Sequence, residues 1–318
     1  MKDTGVRALL ALACAVPAVA FGAGAASAPA TAASGNDTIE RLYQRLSDKL
    51  GSVRQPTDDG TMLLRVPSRP EAPAKASPQR KTAAKRPTAA EPAPHGHWSY
   101  EGATGPEAWG RLKPEYAKCG SGERQSPIDL RNGFKVQLEP IGFDYRPSAF
   151  RVIDNGHTVQ VNLAPDNHLS VLGRRYELKQ FHFHRPSEMQ IAGRAFEMEA
   201  HLVHRDDEGR LAVVSVLFER GAGNPTVQQV WNNLPLEKGE EQAARVSLDP
   251  MALLPEDKRY YTFMGSLTTP PCSEGVLWMV MKQPVQLTPA QIELFARLYP
   301  MNARPVQPAA GRMVKESE

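Results

Sequence analysis

The feature that most constrains the fold of this chain is an alternation of apolar and polar side chains, which recurs in short runs from about residue 97 onward. A period of two is the period of a β-strand. The runs are separated by Gly, Pro, Asn and Asp, which favour turns. They are residues 157–163, 168–173, 175–184, 195–205, 210–219 and 276–285. The pattern predicts a mainly β domain built on one large, twisted, mostly antiparallel sheet. The few short peripheral helices are expected at 224–234 and 288–299.

The first 94 residues have a different composition. Lys2 and Arg7 precede an apolar run at 8–20, and small residues follow, so residues 1–28 are typical of a secretory signal peptide. We therefore expect an exported protein, periplasmic or secreted. Residues 1–94 hold 13 Lys and Arg against 8 Asp and Glu, whereas residues 95–318 hold 25 against 27. Because the globular part has no basic excess, nucleic acid is not expected as a partner.

Two further segments precede the globular domain. Residues 29–64 form an extension in which apolar side chains recur at helical spacing over 36–53. This helix could pair with a second copy in a homodimer, dock on the domain, or remain marginal, because short isolated helices are weak. Residues 65–95 form a linker rich in Pro, Ala and Lys, whose positive charge could contact an anionic envelope surface. The domain itself is expected at 96–308, followed by a C-terminal tail at 309–318.

The stretch QFHFH at 180–184 carries the strongest chemical signal. On a strand, His182 and His184 share one face, and Phe181 and Phe183 share the other. Two adjacent imidazoles suit Zn²⁺, although an exposed polar strand face would look the same. The run at 195–205 is the expected partner strand and offers His201 as a third ligand.

Three histidines from two strands leave one tetrahedral position open, as catalytic zinc sites do. Glu199, two residues before His201, is placed to accept a hydrogen bond from the second ring nitrogen of that histidine. His204 falls on the opposite face of the strand and is predicted to be structural. Cys119 and Cys272 are the two cysteines left after removal of the signal segment with Cys14. In an exported protein they are expected to form a disulfide rather than two free thiols.

These residues lie within a series of motifs that resembles the exported α-class carbonic anhydrases of bacteria. The motifs occur in family order between residues 97 and 304. They are HWSYEG (97–102), PEAW (106–109), QSPIDL (125–130), NGHTVQV (155–161), FHFHRPSE (181–188), MEAHLVH (198–204), LAVVSVLFE (211–219) and GSLTTPPCSEGVLW (265–278). The resemblance implies the carbonic anhydrase fold, a Zn²⁺ cofactor, and reversible hydration of carbon dioxide to bicarbonate and a proton by attack of zinc-bound hydroxide.

Roles follow from the same resemblance. His182, His184 and His201 would hold zinc, with Gln180 and Glu199 as their hydrogen-bond partners. Thr268 and Glu188 would orient the hydroxide, and His157 would shuttle the proton. The other implied positions are the carbon dioxide pocket, at Val203, Val213, Leu267, Thr269 and Trp278, and the border of the proton-relay waters, at Tyr100, Asn155 and Gln160.

The resemblance also implies a cis peptide between Pro270 and Pro271, and inhibition by anions and sulfonamides. Two alternatives remain open from the sequence. One is a carbonic anhydrase-like binding domain without catalysis, and the other is a zinc hydrolase that acts mainly as an esterase. The presence of all three candidate ligand histidines, with Thr268 and Glu188, favours the hydratase.

Overall fold

The computed structural model describes residues 97–318. The expected signal peptide, the helix at 36–53 and the linker at 65–95 lie outside the described residues. Within the described range, no helix has the length and apolar character needed to cross a bilayer.

Fifteen strands form two sheets in this range. They are β1 (Asp129–Leu130), β2 (Phe134–Val136), β3 (Gly142–Asp144), β4 (Ser148–Asp154), β5 (Val159–Leu163), β6 (His168–Val171), β7 (Arg174–His184), β8 (Gln190–Ile191), β9 (Met198–Arg205), β10 (Leu211–Arg220), β11 (Glu241–Leu248), β12 (Tyr260–Ser266), β13 (Glu274–Met281), β14 (Val285–Leu287) and β15 (Lys315–Ser317).

The larger sheet has 13 of these strands, with the order β11-β4-β5-β7-β9-β10-β13-β12-β15-β2. Strand β14 also pairs with β10, and β6 pairs with both β3 and β7. Most pairings are antiparallel, and the parallel ones are β10 with β13, β10 with β14 and β15 with β2. The predicted fold class, a mainly β domain around one large and mostly antiparallel sheet, is confirmed.

The helices are short and lie at the periphery, as predicted. They are α1 (Trp109–Leu112), α2 (Lys118–Ser121), α3 (Pro225–Trp231) and α4 (Pro289–Leu298), with 3-10 turns at Gly102–Thr104, Pro114–Tyr116 and Pro250–Leu253. Helix α4 begins at a capping box, in which Thr288 and Gln291 satisfy each other's backbone N–H groups. Helix α3 begins at Asn224, whose side chain accepts from the backbone N–H of Val227.

The alternation of β7 separates two apolar clusters on the two faces of the sheet. Phe181 and Phe183 are fully buried in the larger cluster, against Trp231 of α3 and Phe295 of α4. The smaller cluster lies on the other face and includes Trp278. Helices α3 and α4 therefore cover the face of the sheet opposite to the histidines.

The C-terminal residues differ from the expectation. Residues 309–318 are predicted as a tail outside the domain, but residues Lys315–Ser317 form β15, between β12 and β2 in the large sheet. Buried Val314 packs into the smaller cluster, and Lys282 donates to the carboxylate of Glu316. The alternation in this segment is too short to distinguish a strand from a tail, so its place depends on the edge that β12 offers.

Candidate metal centre

The register of two neighbouring strands brings the three candidate ligand histidines together. On the antiparallel pair β7 and β9, His182 lies directly opposite His201. His184 follows on the same face of β7, and a register shift between Leu178 and Gln180 precedes the aligned part. One ligand nitrogen from each histidine lies within 4.8 Å of the others. The sequence-based placement of His182, His184 and His201 on one face therefore corresponds to a real cluster.

Each of these rings contacts a protein group through one nitrogen and so leaves the other for a ligand. His182 Nδ1 is 2.9 Å from Oε1 of Gln180, and His184 Nδ1 donates to the backbone oxygen of Asn302 at 2.8 Å. His201 Nε2 lies 2.8 Å from Oε1 of Glu199. Such contacts fix the tautomer and the orientation of a metal-binding imidazole. The free nitrogens are thus Nε2 of His182 and His184, and Nδ1 of His201.

The charge states of the rings also suit a metal. Burial, followed by the neighbouring His184 and His201, holds the pKa of His182 well below its ordinary value. Burial likewise lowers the pKa of His184. Both rings are therefore neutral near pH 7, which is the form of imidazole that binds metals.

Glu199 is a fully buried carboxylate with a complete set of partners. Its Oε2 accepts from the backbone N–H groups of Glu188 and Met189, and its Oε1 accepts from the Ser215 hydroxyl. Burial by itself would raise the pKa of this carboxyl, but His201 and these donors hold it below the ordinary value. Glu199 therefore stays ionised beside His201, which favours the tautomer with the Nε2 proton.

Glu188 is a second buried carboxyl, and it lies between two of the histidines. Its Oε1 accepts from the backbone N–H of Arg304 at 2.8 Å and is 3.6 Å from Nδ1 of His184, while its Oε2 is 3.8 Å from Nδ1 of His201. Burial raises the pKa of Glu188 to about 7, against the lowering effects of His201, Arg304 and the Thr268 hydroxyl. Thr268 is itself 4% exposed, so the predicted Thr268–Glu188 pair is brought together inside the protein.

The predicted carbon dioxide pocket corresponds to a strip of apolar side chains beside the histidines. Val203 lies opposite Val213 on β10, and Val213 lies opposite Trp278 on β13. The Trp278 ring packs edge-on against His201, with centroids 4.9 Å apart. Leu267 packs on the same cluster. Thr269 contributes a turn contact, because its carbonyl accepts from the N–H of Cys272.

The predicted polar side lies on the neighbouring strand and turn. Gln160 is directly opposite His182 on β5, and its Oε1 accepts from the side chain of Asn155 at 3.3 Å. His157 lies in the turn before β5, and its half-buried ring stacks on Trp98 at a centroid distance of 3.7 Å. Burial first, then His97 and Lys238, lower the pKa of His157.

Tyr100 reaches toward the buried carboxyl. Burial and the charge of Glu188 raise the pKa of Tyr100 well above its ordinary value, so its hydroxyl keeps its proton. The predicted disulfide is confirmed between Cys119 and Cys272, which are 153 residues apart in sequence. The peptide between Pro270 and Pro271 is cis, as expected. His204, predicted to be structural, is fully buried on the other face, where its Nε2 contacts the Tyr145 hydroxyl.

Three residues that touch this centre escape the sequence analysis. Ser215 lies opposite His201 on β10 and is the one polar side chain among its apolar neighbours at 211–218, a signal that could have found it. Asn302 contacts His184 and Arg304 contacts Glu188, in each case across more than 100 residues of sequence. They lie outside any strand or helix, so no periodicity marks them.

Comparison with known proteins gives the centre a family context. The family whose sequence model matches residues 104–318 is described as eukaryotic-type carbonic anhydrase. The chain belongs to the carbonic anhydrase family. The match continues through β15, in agreement with the place of that strand in the large sheet.

Bacterial carbonic anhydrases are among the similar sequences. The carbonic anhydrase of Nostoc sp. is 44% identical over 227 residues, 70% of this chain and 86% of the relative. The carbonic anhydrase of Klebsiella pneumoniae is 46% identical over 224 residues, 69% of this chain and 91% of the relative. The family also contains dioscorins, such as dioA3 of Dioscorea japonica, which is 39% identical over 222 residues, 66% of this chain and 81% of the relative.

Solved carbonic anhydrase structures have the same fold. The α-carbonic anhydrase of Thermovibrio ammonificans, in complex with the inhibitor sulfanilamide, aligns with a TM-score of 0.68 and 44% identity over 70% of this chain and 99% of that chain. From the family match and these relatives we conclude that the chain has carbonic anhydrase activity, which is the hydration of carbon dioxide by a lyase.

Proposed function

We propose that this carbonic anhydrase works with Zn²⁺ held by His182, His184 and His201, with His157 as its proton shuttle. The observation that carries the proposal is the convergence of three ring nitrogens within 4.8 Å, each on a ring whose other nitrogen contacts a protein group. Three neutral nitrogen ligands leave the charge of the ion undiminished and one tetrahedral position open.

The residues fit the ion in a second respect. Nε2 of His184 is buried and has no hydrogen-bond partner among the described residues. An unsatisfied buried nitrogen costs about 1–3 kcal/mol, and a metal ligand bond removes that cost. When bound, zinc supplies hydroxide at neutral pH, because it lowers the pKa of a water molecule to about 7, as is established for carbonic anhydrases.

The chain's own residues then orient the nucleophile and exclude water from the place where carbon dioxide binds. The carboxylate of Glu188 accepts a hydrogen bond from the Thr268 hydroxyl. The Thr268 oxygen is then left to accept a hydrogen bond from the nucleophile, which orients the nucleophile's lone pair toward carbon dioxide. Val203, Val213 and Trp278 form an apolar surface beside His201 where carbon dioxide, which has no net dipole, displaces water more easily than an ion does. The ionised carboxylate of Glu199, 2.8 Å from Nε2 of His201, favours the tautomer with the proton on that nitrogen.

The proton leaves along the polar side. Gln160 and Asn155 form a hydrogen-bonded wall between His182 and the turn that holds His157. Histidine is the side chain whose ordinary pKa, about 6.5, permits both uptake and release of a proton near neutral pH. Burial, followed by His97 and Lys238, lowers the pKa of His157, which favours release of the proton to solvent.

A matched pair of substitutions tests the zinc assignment. His201 and His204 lie three residues apart on β9 but on opposite faces, and both are buried. We expect His201→Gln to bind substoichiometric zinc and to lose hydration in a stopped-flow assay. In His204→Gln the glutamine side chain can still hydrogen-bond the Tyr145 hydroxyl, so this variant should retain both full zinc content and hydration activity. Full zinc content with full activity in His201→Gln would overturn the proposed ligand set.

The same assay separates the two alternatives. A non-catalytic binding domain would show no hydration with zinc bound, and an esterase would hydrolyse an activated ester faster than it hydrates carbon dioxide. We expect rapid hydration that a chelator abolishes and zinc restores. We also expect inhibition by anions and by sulfanilamide, the inhibitor named for the Thermovibrio relative. Bicarbonate is the expected product and reverse substrate.

We further propose that the protein is exported to the periplasm or secreted. The charged start, the apolar run at 8–20 and the following small residues support this location, and so does the Cys119–Cys272 disulfide. Mass spectrometry of the mature protein should find an N-terminus between about residues 20 and 33, as small-residue cleavage sites predict. An intact N-terminus on cytoplasmic protein would contradict export.

A further inference from the structure

One short segment supports the metal centre from two sides. The backbone oxygen of Asn302 accepts from the metal-ligand candidate His184, and the backbone N–H of Arg304 donates to Glu188, each at 2.8 Å. The Asn302 side chain also bonds the backbone of β7, because its Oδ1 accepts from the N–H of Arg185 and its Nδ2 donates to the oxygen of Phe183. Residues 302–304 therefore set the orientation of one ligand ring and one buried carboxyl together.

This segment belongs to no helix or strand, so no backbone ladder holds it. Asn302 is held to β7 by its side chain and by its backbone N–H, which donates to the oxygen of Arg185 at 2.9 Å. The other anchor of the segment is the side chain of Arg304, which is 3% exposed. Nη1 donates to Oε1 of Gln125 at 2.9 Å and to the oxygen of Ser126 at 2.8 Å, and Nη2 donates to the oxygen of Cys119 at 2.9 Å. The planar guanidinium fixes the backbone that carries it, because its donors have a rigid geometry.

Arg304 is also linked to both cysteines of the disulfide, to one directly and to the other through Gln125. Nη2 reaches the carbonyl of Cys119 directly, and Gln125, which accepts from Nη1, donates its own Nε2 to the carbonyl of Cys272 at 3.1 Å. Cys272 in turn closes the turn that follows Thr268, through its N–H to the oxygen of Thr269. Arg304 and the Thr268 loop are therefore both linked by hydrogen bonds to the backbone of the disulfide cysteines.

The hydrogen bonds of this buried guanidinium go to neutral amide and carbonyl oxygens. They offset only part of the free-energy cost of removing its charge from water, so simple packing does not account for an arginine at this position. We infer that Arg304 is a positioning residue, which clamps residues 302–304 against His184 and Glu188, and that the Cys119–Cys272 disulfide acts on the metal centre through this guanidinium. The inference deepens the proposed zinc function and rests on it for the hydration readout.

The experiment compares Arg304→Met with Arg312→Met. Arg312 is a matched control, because it is a partly buried arginine that also donates to two backbone carbonyls, those of Ala309 and Pro308. Two quantities are measured: zinc affinity by competition with a chelator, and kcat for hydration. We expect Arg304→Met to weaken both by about 10–100-fold, the range found for groups that orient metal ligands. We expect Arg312→Met to change each by less than about twofold, as at sites without such a role.

A double-mutant cycle that combines Arg304→Met with Cys119→Ala/Cys272→Ala tests whether the disulfide affects zinc affinity through Arg304. If the disulfide acts through Arg304, its removal should reduce zinc affinity in the parent but add little in the Arg304→Met background. Additive losses would overturn the route, and equal losses in Arg304→Met and Arg312→Met would overturn the positioning role. If Arg304→Met does not fold, Arg304→Lys replaces it, with a loss expected because lysine cannot reproduce the fork. Zinc affinity is measured without substrate, so absent hydration in the parent would contradict the proposed function alone.

Discussion

Truncation of Phe183 to Ala should destabilise the protein strongly, although its ring touches neither metal nor substrate. Phe183 lies between His182 and His184 on β7, with its ring on the opposite face and fully buried. Its ring centroid is 4.8 Å from that of Trp231, 6.1 Å from Phe295 and 6.4 Å from Phe218. The walls of the cavity left by Phe183→Ala would therefore be large rings on helices α3 and α4 and on strand β10.

The magnitude follows from burial and from the rigidity of those walls. A buried phenylalanine removes about 150–250 Å² from water, and at about 25 cal/mol per Å² this gives roughly 4–6 kcal/mol as an upper bound. Measured Phe→Ala changes in cores cost about 3–5 kcal/mol. Because rings held from two helices and a central strand collapse poorly, we expect a loss of about 4 kcal/mol in the free energy of unfolding.

The assay is urea denaturation of the zinc-free protein, since bound zinc would add a concentration-dependent contribution to stability. The control is Phe134→Ala on strand β2, where the residue is 60% exposed and a change of at most about 0.5 kcal/mol is expected. A loss below about 2 kcal/mol for Phe183→Ala, with an unchanged m-value, would refute the argument that the helix-covered face supports the metal strand.

Three further predictions concern the disulfide, the proton route and the N-terminal segments. Replacement of Cys119 and Cys272 by Ala should cost about 5 kcal/mol in the chain-entropy model for a closed loop of 153 residues. Guanidinium denaturation measures this, and a loss under about 1 kcal/mol would contradict the model. His157→Ala should lower kcat in weak buffer, leave kcat/KM nearly unchanged and recover part of its rate with imidazole, because attack on carbon dioxide does not need the shuttle. Unchanged turnover in dilute buffer would mean that protons leave elsewhere. Removal of residues 29–94 should leave hydration intact, and light scattering should show a change from dimer to monomer if the predicted helix at 36–53 pairs with itself. An unchanged number of subunits would exclude that pairing, and lost activity would move the domain boundary.

Much of the centre was accessible from the sequence because a strand has a fixed period. Once 180–184 and 195–205 are strands, His182 and His184 must share a face, and His201 and Glu199 must share one as well. Helical patterns likewise predicted helices within 224–234 and 288–299, where the structure has Pro225–Trp231 and Pro289–Leu298. The motif order from 97 to 304 added the roles of Thr268 and Glu188, which no periodicity reveals.

Tertiary structure alone decided which faces meet and which distant backbone joins them. The register that sets His182 opposite His201 depends on a shift after Leu178 that alternation does not encode. The contacts of Asn302 and Arg304 are made from irregular backbone across more than 100 residues, and β15 finds its place only at the edge of β12. Local patterns determine the direction of a side chain because sterics act between neighbours in sequence. Contacts across the chain depend on how the whole sheet closes around its core, and that information is spread over many residues.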